Sequence, residues 1–384
     1  MRLLIVGGGI AGAGAALALH RAGLDVAVFE AHPDSAEDAG AFLTLASNGM
    51  RALAGMDASA AVGALGFALT SMRVLDDTGA ELAHTPLGGP EFAYRCLRRG
   101  DLNRALQGEA ARRGIPIRHG ARLEGIEEGP RGVTAHFTDG TTATGDLLVG
   151  ADGLNSTVRR LISPGVPPRY AGQRVFYGYA REVAVSAPPG TVTMVRGSAA
   201  AFGYALSPEG EAYWFARVAG PALDAADLAG GTPAGRRASL LPLLSKDATP
   251  AAEVVAATGD DLLVTNATEI PTATPWRSGR GLLVGDAAHA ASPATGQGAS
   301  MALEDAVVLA KSLRDAPDTA TALDLYEALR RPRVEHNITV SGALSRGTRT
   351  PSGPGPRGAA GAPSPEDVLA RQLRWDTDLL RPEA

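Results

Sequence analysis

Gly7, Gly9 and Gly12 stand in a GxGxxG pattern directly behind the apolar run of residues 3–6, and Glu30 closes the next apolar run. Each position has a physical task. Gly7 permits a tight turn, Gly9 lets backbone approach a pyrophosphate, and Gly12 lets a helix pack closely on a strand. Ile10 and Ala11 fall within this glycine turn as further candidate contacts, ahead of a helix whose free N–H groups and partial positive charge attract phosphate. The Glu30 carboxylate can accept from both hydroxyls of an adenosine ribose and would repel a 2′-phosphate. A dinucleotide is expected here, with FAD and NAD both open on this pattern alone.

Two further stretches read strand, loop, helix. In residues 146–160, DLLVGADGLNSTVRR, Asp152 falls in the loop at the carboxyl end of a strand, where ligands bind in open α/β sheets. By itself an Asp-Gly pair is also an ordinary turn. In residues 281–306, GLLVGDAAHAASPATGQGASMALEDA, a buried strand ends at Gly285-Asp286, and Pro293, Gly296, Gln297, Gly298 and Ala299 lead into a helix. Asp286 can bind the hydroxyls of a ribityl chain. The helix start aims N–H groups at whatever lies before it, and a flavin's pyrimidine edge gains negative charge on reduction, so flavin suits this stretch better than nicotinamide. The seven histidines show no metal-ligand spacing, and His289 is expected to make a local hydrogen bond. Neither a metal nor a protein acid or base is assigned.

The elements that must position these residues are legible as periodicities. Residues 3–6, 13–22 and 26–29 predict a strand, a helix and a strand, the βαβ opening of a doubly wound parallel sheet. A helix is expected over 99–113, short strands over 118–142 around the Asp139-Gly140 turn, and a buried strand over 147–149. From about 170 to 267 the texture changes to β-branched and aromatic segments, at 174–179, 191–195 and 212–218, with an alanine-rich helical stretch among them. This reads as a mainly antiparallel second lobe. A strand at 281–284 and a helix at 300–313 then return to the first lobe.

The expected fold class is α/β, a Rossmann-like dinucleotide domain carrying an inserted, mainly antiparallel substrate domain. The division is 1–70, 97–168 and 276–345 for the first, 71–96 and 169–275 for the second, and 346–384 for a Pro/Gly-rich linker ending in an amphipathic helix over 365–380. Tyr177, Tyr179, Phe202, Tyr204, Trp214 and Phe215 offer walls for an aromatic or conjugated molecule, and strand alternation sends about half of them into the core.

Composition narrows the classes. A chain of 384 residues suffices for two lobes, and 45% hydrophobic with 20% charged residues is ordinary for a packed, water-soluble protein. A net charge of −5, from 36 basic and 41 acidic residues without a basic cluster, argues against nucleic acid. No apolar run reaches the roughly 18 residues of a membrane span, and the opening MRLLIVGGG is too short for a secretory core. Cys96 is the single cysteine, which excludes an internal disulfide and fits a reducing cytoplasm. Lysine occurs only at Lys246 and Lys311 amid abundant Arg, Ala, Gly and Pro, which suggests a GC-rich bacterial gene.

Together, GGGIAG with Glu30, GADGLNSTVR and GDAAHAASPATGQGASMALEDA are similar, in order and spacing, to the motif set of the flavoprotein aromatic hydroxylases, the family of the p-hydroxybenzoate hydroxylase fold. The resemblance implies FAD as cofactor and NADPH or NADH as a transient co-substrate, docking against the flavin lobe because no second GxGxxG is present. It implies reduction of FAD, reaction with O2 to a flavin hydroperoxide, and transfer of one oxygen atom, first of all as hydroxylation, to a small aromatic or conjugated substrate. It further implies that Asp152 contacts FAD and nicotinamide, that Asp286 binds the ribityl chain, that Arg99 in RGDL contacts FAD, and that the backbone at Leu123 meets the adenine. Residues 40–53, with Asn48, and the strands RVFYGYA and AYWFARV share the likeness. Two features depart from it: Ser300 stands where many relatives carry Asn, and the tail RQLRWDTDLL follows no family pattern. An epoxidase, a Baeyer–Villiger or antibiotic-modifying variant, a flavin reductase or dehydrogenase, and a non-catalytic flavoprotein stay open, as do monomer and homodimer.

Overall fold

A computed structural model describes residues 1–34, 40–89, 91–130, 132–185, 187–348 and 363–381. Its first thirty residues form the expected βαβ unit: strand Arg2–Val6, helix Ile10–Arg21 and strand Asp25–Phe29. Both strands are apolar and buried along four successive residues, as a parallel sheet covered on both faces requires. The helix is rich in Ala and Gly, so helix Gly298–Asp315 approaches closely; a Cβ on Gly14 would stand 3.0 Å from Leu303 Cδ2.

Six strands complete this sheet in the order Arg277–Ser278, Gly281–Leu283, Leu147–Gly150, Arg2–Val6, Asp25–Phe29, Ile117–Arg118. All neighbours are parallel except the edge strand Arg277–Ser278, which runs antiparallel to its neighbour. Strands from both ends of the chain thus share one sheet, which puts the three glycine-rich loops at the same carboxyl edge.

The second large sheet has seven strands, ordered Leu262–Glu269, Arg169–Ala180, Ala212–Ala219, Ala201–Leu206, Thr191–Arg196, Ser71–Asp76, Glu81–Pro86. Its pairs are antiparallel apart from Thr191–Arg196 with Ser71–Asp76. Alternation decides its two faces. Along Ala212–Ala219 the residues Ala212, Trp214, Ala216 and Val218 join a core with Leu240, Leu244, Val254 and Val255. The expected alanine-rich helices, Ala225–Gly230, Pro233–Leu244 and Ala251–Ala256, cover that face, and Trp214 Nε1 donates to Thr258 Oγ1 at 2.8 Å.

Several boundaries moved. The first helix begins at Ile10 and not at 13, with Gly9 as its cap residue, and the late helix begins at Gly298 and not at 300. A helix of 27 residues, Thr319–Ser345, was not foreseen; Pro332 inside it and the charged run around it mask its periodicity. Residues 349–362, most of the expected linker, lie outside the described residues. The closing helix ends at Leu373 and does not continue to 380.

What stops it there is Lys311. The buried ammonium donates to the carbonyls of Gln372 at 2.9 Å and Arg374 at 2.5 Å and to Thr377 Oγ1 at 2.8 Å, satisfying acceptors that a helix end leaves free. Burial lowers its pKa to about 8. Trp375 lies beneath two guanidinium groups, Arg21 at 4.6 Å and Arg314 at 5.0 Å. The tail without a family pattern is therefore a docked segment. Lys311→Met should leave the Gln372 carbonyl without this donor, with Arg374 O keeping the Thr377 hydroxyl at 2.9 Å, costing about 1–3 kcal/mol. Mass spectrometry of a brief tryptic digest should then show faster cutting at Arg371 and Arg374, with the far-UV spectrum unchanged; cutting at the native rate would refute this anchoring.

Among the described residues no helix is long and apolar enough to cross a membrane.

Candidate active-site cleft

A cleft of about 670 Å³ opens between the carboxyl edge of the parallel sheet and one face of the seven-stranded sheet. Thirteen of the fifteen residues singled out by the sequence line it: Gly7, Gly9, Ile10, Ala11, Glu30, Arg99, Leu123, Asp152, Asp286, Pro293, Gly296, Gly298 and Ala299. Gly12 and Gln297 do not.

The glycines of the first turn differ in what they accommodate. Gly7 has φ of +101°, and a Cβ there would meet the Ala151 carbonyl oxygen at 2.4 Å. At Gly12 a Cβ would come within 1.8 Å of the Gly7 oxygen, so this residue serves close packing beneath the cleft. Nothing lies within 4 Å of a Cβ on Gly9, Gly153 or Gly296. Gly153 and Gly296, with φ of +74° and +65°, need glycine for their backbone conformation alone. At Gly9 the protein's own packing leaves room for a side chain, and bare backbone there meets the need of a phosphate-bearing ligand for close approach.

Glu30 is fixed at the rim: Oε2 accepts from Gly8 N at 2.5 Å and Oε1 from His32 N at 2.7 Å. Gln107 Nε2 donates to Gly8 O at 2.7 Å and steadies the same turn. Asp152 accepts from Ser156 Oγ at 2.5 Å, Thr157 N at 2.7 Å and Val158 N at 3.1 Å. It therefore starts helix Thr157–Ile162 while facing the cleft. Buried Arg159 joins the second motif to the third, donating to Ala287 O at 2.8 Å.

In the third motif Gly285 has φ of +57°, and a Cβ on it would stand 2.7 Å from Ala11 Cβ, so only glycine brings Asp286 this near the first helix. Gln297 has turned away from the cleft: its Oε1 accepts from Asn48 Nδ2 at 3.0 Å. Ser300, the departure from the family pattern, is buried and accepts from Ala46 N at 3.0 Å. His289 makes the expected local contact, its Nε2 lying 2.5 Å from Asp305 Oδ2. That carboxylate also accepts from Gly285 N at 2.9 Å, so a buried acid holds the turn that presents Asp286.

The opposite wall is the sheet face bearing Val175, Tyr177, Phe215, Arg217, Leu263 and Thr265. Registers align them in two rows, Arg217 with Val175 and Thr265, and Phe215 with Tyr177 and Leu263. Of the six aromatic residues proposed for this wall, Tyr177 and Phe215 line it. Phe202, Tyr204 and Trp214 point into the core behind the sheet, and Tyr179 packs edge-on to Tyr213 at 4.9 Å. Arg217, Leu263, Thr265 and Phe42 line the cleft without belonging to any of the motifs. A usable signal existed: Arg217 is two residues from Phe215 on a strand of alternating burial, so both face the same way.

No group of three or more His, Cys, Asp or Glu residues could hold a metal among the described residues. Cys96 is buried, and burial pushes its thiol well above the ordinary range, leaving it unreactive.

Comparison with known proteins bears on this cleft directly. The family described as FAD binding domain matches residues 1–341. An aurachin C monooxygenase/isomerase of Stigmatella aurantiaca is 32% identical over 89% of this chain and 88% of its own length. A 3-amino-4-hydroxybenzoate 2-monooxygenase of Streptomyces platensis is 32% identical over 92% of this chain and 90% of its own. The crystal structure of Klebsiella pneumoniae HpxO complexed with FAD and uric acid superposes with a TM-score of 0.81 at 29% identity, covering 90% of this chain and 88% of that one. A glycine-lined cleft on a parallel sheet, closed by an antiparallel wall and matched along most of its length by such relatives, places the chain in the FAD binding domain family as an FAD-dependent, aromatic-hydroxylase-like monooxygenase.

Proposed function

We propose that the cleft holds FAD along its three glycine-rich loops and a small aromatic or conjugated substrate against the sheet wall, with NADPH or NADH as reductant and O2 as oxidant. The observation that carries this reading is the convergence of all three loops on one cleft facing Tyr177 and Phe215. Bound FAD supplies the electron storage and oxygen activation that no side chain here can provide.

The chain's own residues bind and orient. Glu30 and Leu123 would receive the adenosine, Gly9, Ile10 and Ala11 the pyrophosphate, and Asp286 the ribityl hydroxyls. Pro293, Gly296, Gly298 and Ala299 would meet the isoalloxazine ring, with the N-terminus of helix Gly298–Asp315 stabilising negative charge there. Arg99 and Asp152 would flank the cofactor. The apolar wall excludes water from the reacting centre. In this reading residues 1–70, 97–168 and 276–345 serve the cofactor and 71–96 and 169–275 the substrate. An aromatic substrate is supported by the wall and by relatives named for 3-amino-4-hydroxybenzoate and urate. The cytoplasm, and a monomer or homodimer, complete the proposal.

The test is a visible spectrum of the purified protein, anaerobic titration with NADPH and with NADH, and then admission of ¹⁸O2 with a panel of aromatic compounds. A flavin spectrum that bleaches and a product carrying one labelled oxygen are expected. Bleaching with reoxidation to peroxide alone, across the panel, would turn the assignment to a flavin reductase.

A further inference from the structure

Gly178 and Gly203 lie inside strands of the seven-stranded sheet, and neither has a positive φ, so the backbone at both would accept a side chain. A glycine in a strand interior weakens it and marks a place where something else approaches closely. Here the approaching group is an aromatic ring on the neighbouring strand. A Cβ on Gly178 would stand 2.5 Å from Trp214 Cζ2, and one on Gly203 would stand 2.5 Å from Phe215 Cε1 and 2.6 Å from its Cζ. The two rings belong to consecutive residues and therefore lie on opposite faces of the sheet. Trp214 is in the core beneath the helices, which accounts for Gly178, whereas Phe215 lines the cleft.

Gly203 is buried although it faces the cleft side, because the Phe215 ring covers it. Leu263, Tyr177, Phe215, Gly203 and Met194 are register partners in one row across adjacent strands. From Leu263 to Gly203 that row crosses three strand spacings, roughly 14 Å. With its ring laid over Gly203, Phe215 leans away from Tyr177 and extends the apolar floor along the row. Non-bonded carbons rest about 3.5–4 Å apart, so a methyl group at 203 would have to drive the ring back by about 1 Å. Met194 Sδ stands 2.9 Å from the same point, so the direction left open to the ring is the cleft.

We propose that Gly203 is a specificity-determining residue: by seating the Phe215 ring off the cleft, it lets the floor take an aromatic ring system longer than one benzene ring. This rests on the reading above, in which the cleft holds FAD and an aromatic substrate. It adds the length of the ring system and names the residue that sets it.

Calorimetry of FAD-loaded protein with phenol and 2-naphthol, which share one hydroxyl and differ by one ring, tests it without recourse to turnover. The wild type should bind 2-naphthol about tenfold or more tightly, the second ring resting on Phe215. Gly203→Ala should weaken 2-naphthol by about tenfold and phenol by less than about twofold, with the flavin absorbance per protein at the wild-type level. Phe215→Leu added to Gly203→Ala should recover most of the lost 2-naphthol affinity, because the displaced ring is gone. Gly178→Ala, the same clash on the covered face, should lower the thermal unfolding temperature and leave the ratio of the two affinities unchanged. Equal binding of the two probes by the wild type, or binding of neither, overturns the proposal whether or not the variants fold. So does a Gly203→Ala protein that weakens both probes alike, a ratio that Phe215→Leu fails to restore, or one that Gly178→Ala shifts as far. Failure of the wild type to take up FAD is a different result, visible in its spectrum before any probe is added, and sinks the underlying reading instead.

Discussion

Arg330→Met should cost about 3–5 kcal/mol of folding stability, the usual result of removing one partner from a buried ion pair. Arg330 is fully buried, donating from Nε to Asp305 Oδ1 at 2.8 Å, from Nη1 to Glu304 Oε2 at 2.5 Å and from Nη2 to Met301 O at 3.2 Å. Both acids are fully buried too. Glu304 also accepts from Arg333 at 2.8 and 2.9 Å and from Asn48 at 2.5 Å, so it keeps some compensation; among the described residues Asp305 keeps its contacts to His289 and Gly285. Burial alone would raise the pKa of Asp305, but His289 and Arg330 outweigh it and bring it to about 2.

The pH dependence follows from that direction. A carboxyl with a folded pKa below its unfolded one contributes stability that is complete above the unfolded value and is lost as pH falls towards the folded one. In the variant Asp305 loses one of the two groups that hold it ionised while Glu304 keeps Arg333, so the gap to wild type should be full at neutral pH and narrow as pH falls from 3.8 towards about 2. Urea unfolding of both proteins at neutral pH and within that acid window reads both features. A neutral-pH loss below about 1 kcal/mol, the range of solvated surface pairs, would show that this cluster is not the buried network described.

The second large effect falls on the cofactor. Gly9→Ala should leave the apoprotein as stable as wild type, because nothing stands within 4 Å of the added methyl group. It should nevertheless weaken FAD binding by about tenfold to a hundredfold, the equivalent of 1–3 kcal/mol of overpacking against a bound ligand. Gly12→Ala is the contrasting case: its Cβ would come within 1.8 Å of the Gly7 oxygen, so it should destabilise the fold itself. Fluorescence titration with FAD and thermal unfolding of the two apoproteins distinguish a ligand clash from a packing clash. If Gly9→Ala binds FAD as wild type does, backbone at this position does not approach the cofactor.

The two predictions are linked in the structure. Asn48 bonds both Glu304 and Gln297, and Asp305 bonds Gly285, so the ion cluster fastens the turn before helix Gly298–Asp315 and the turn before Asp286. Stability invested behind the cleft becomes rigidity of the loops that line it.

Much of this protein was determined by the local sequence. The turn at Gly7 and the helix start at Ile10 depend on backbone conformations and free N–H groups set within a few residues, so the glycine spacing revealed them before any fold was known. The buried strands Leu147–Gly150 and Gly281–Leu283 announced themselves as apolar runs ahead of glycine and aspartate for the same reason. Tertiary structure decided the rest. Whether Tyr177 or Trp214 meets the cleft depends on which face of the seven-stranded sheet the helices cover, and no single strand carries that information. Helix Thr319–Ser345 is held through Arg330 by acids 25 and 26 residues away, which outweighs the local cost of Pro332. Lys311 ends a helix about 60 residues further on. Arg217 reads as one more basic residue in the chain; only the folded sheet turns it to the cleft and buries its Nε and Nη1.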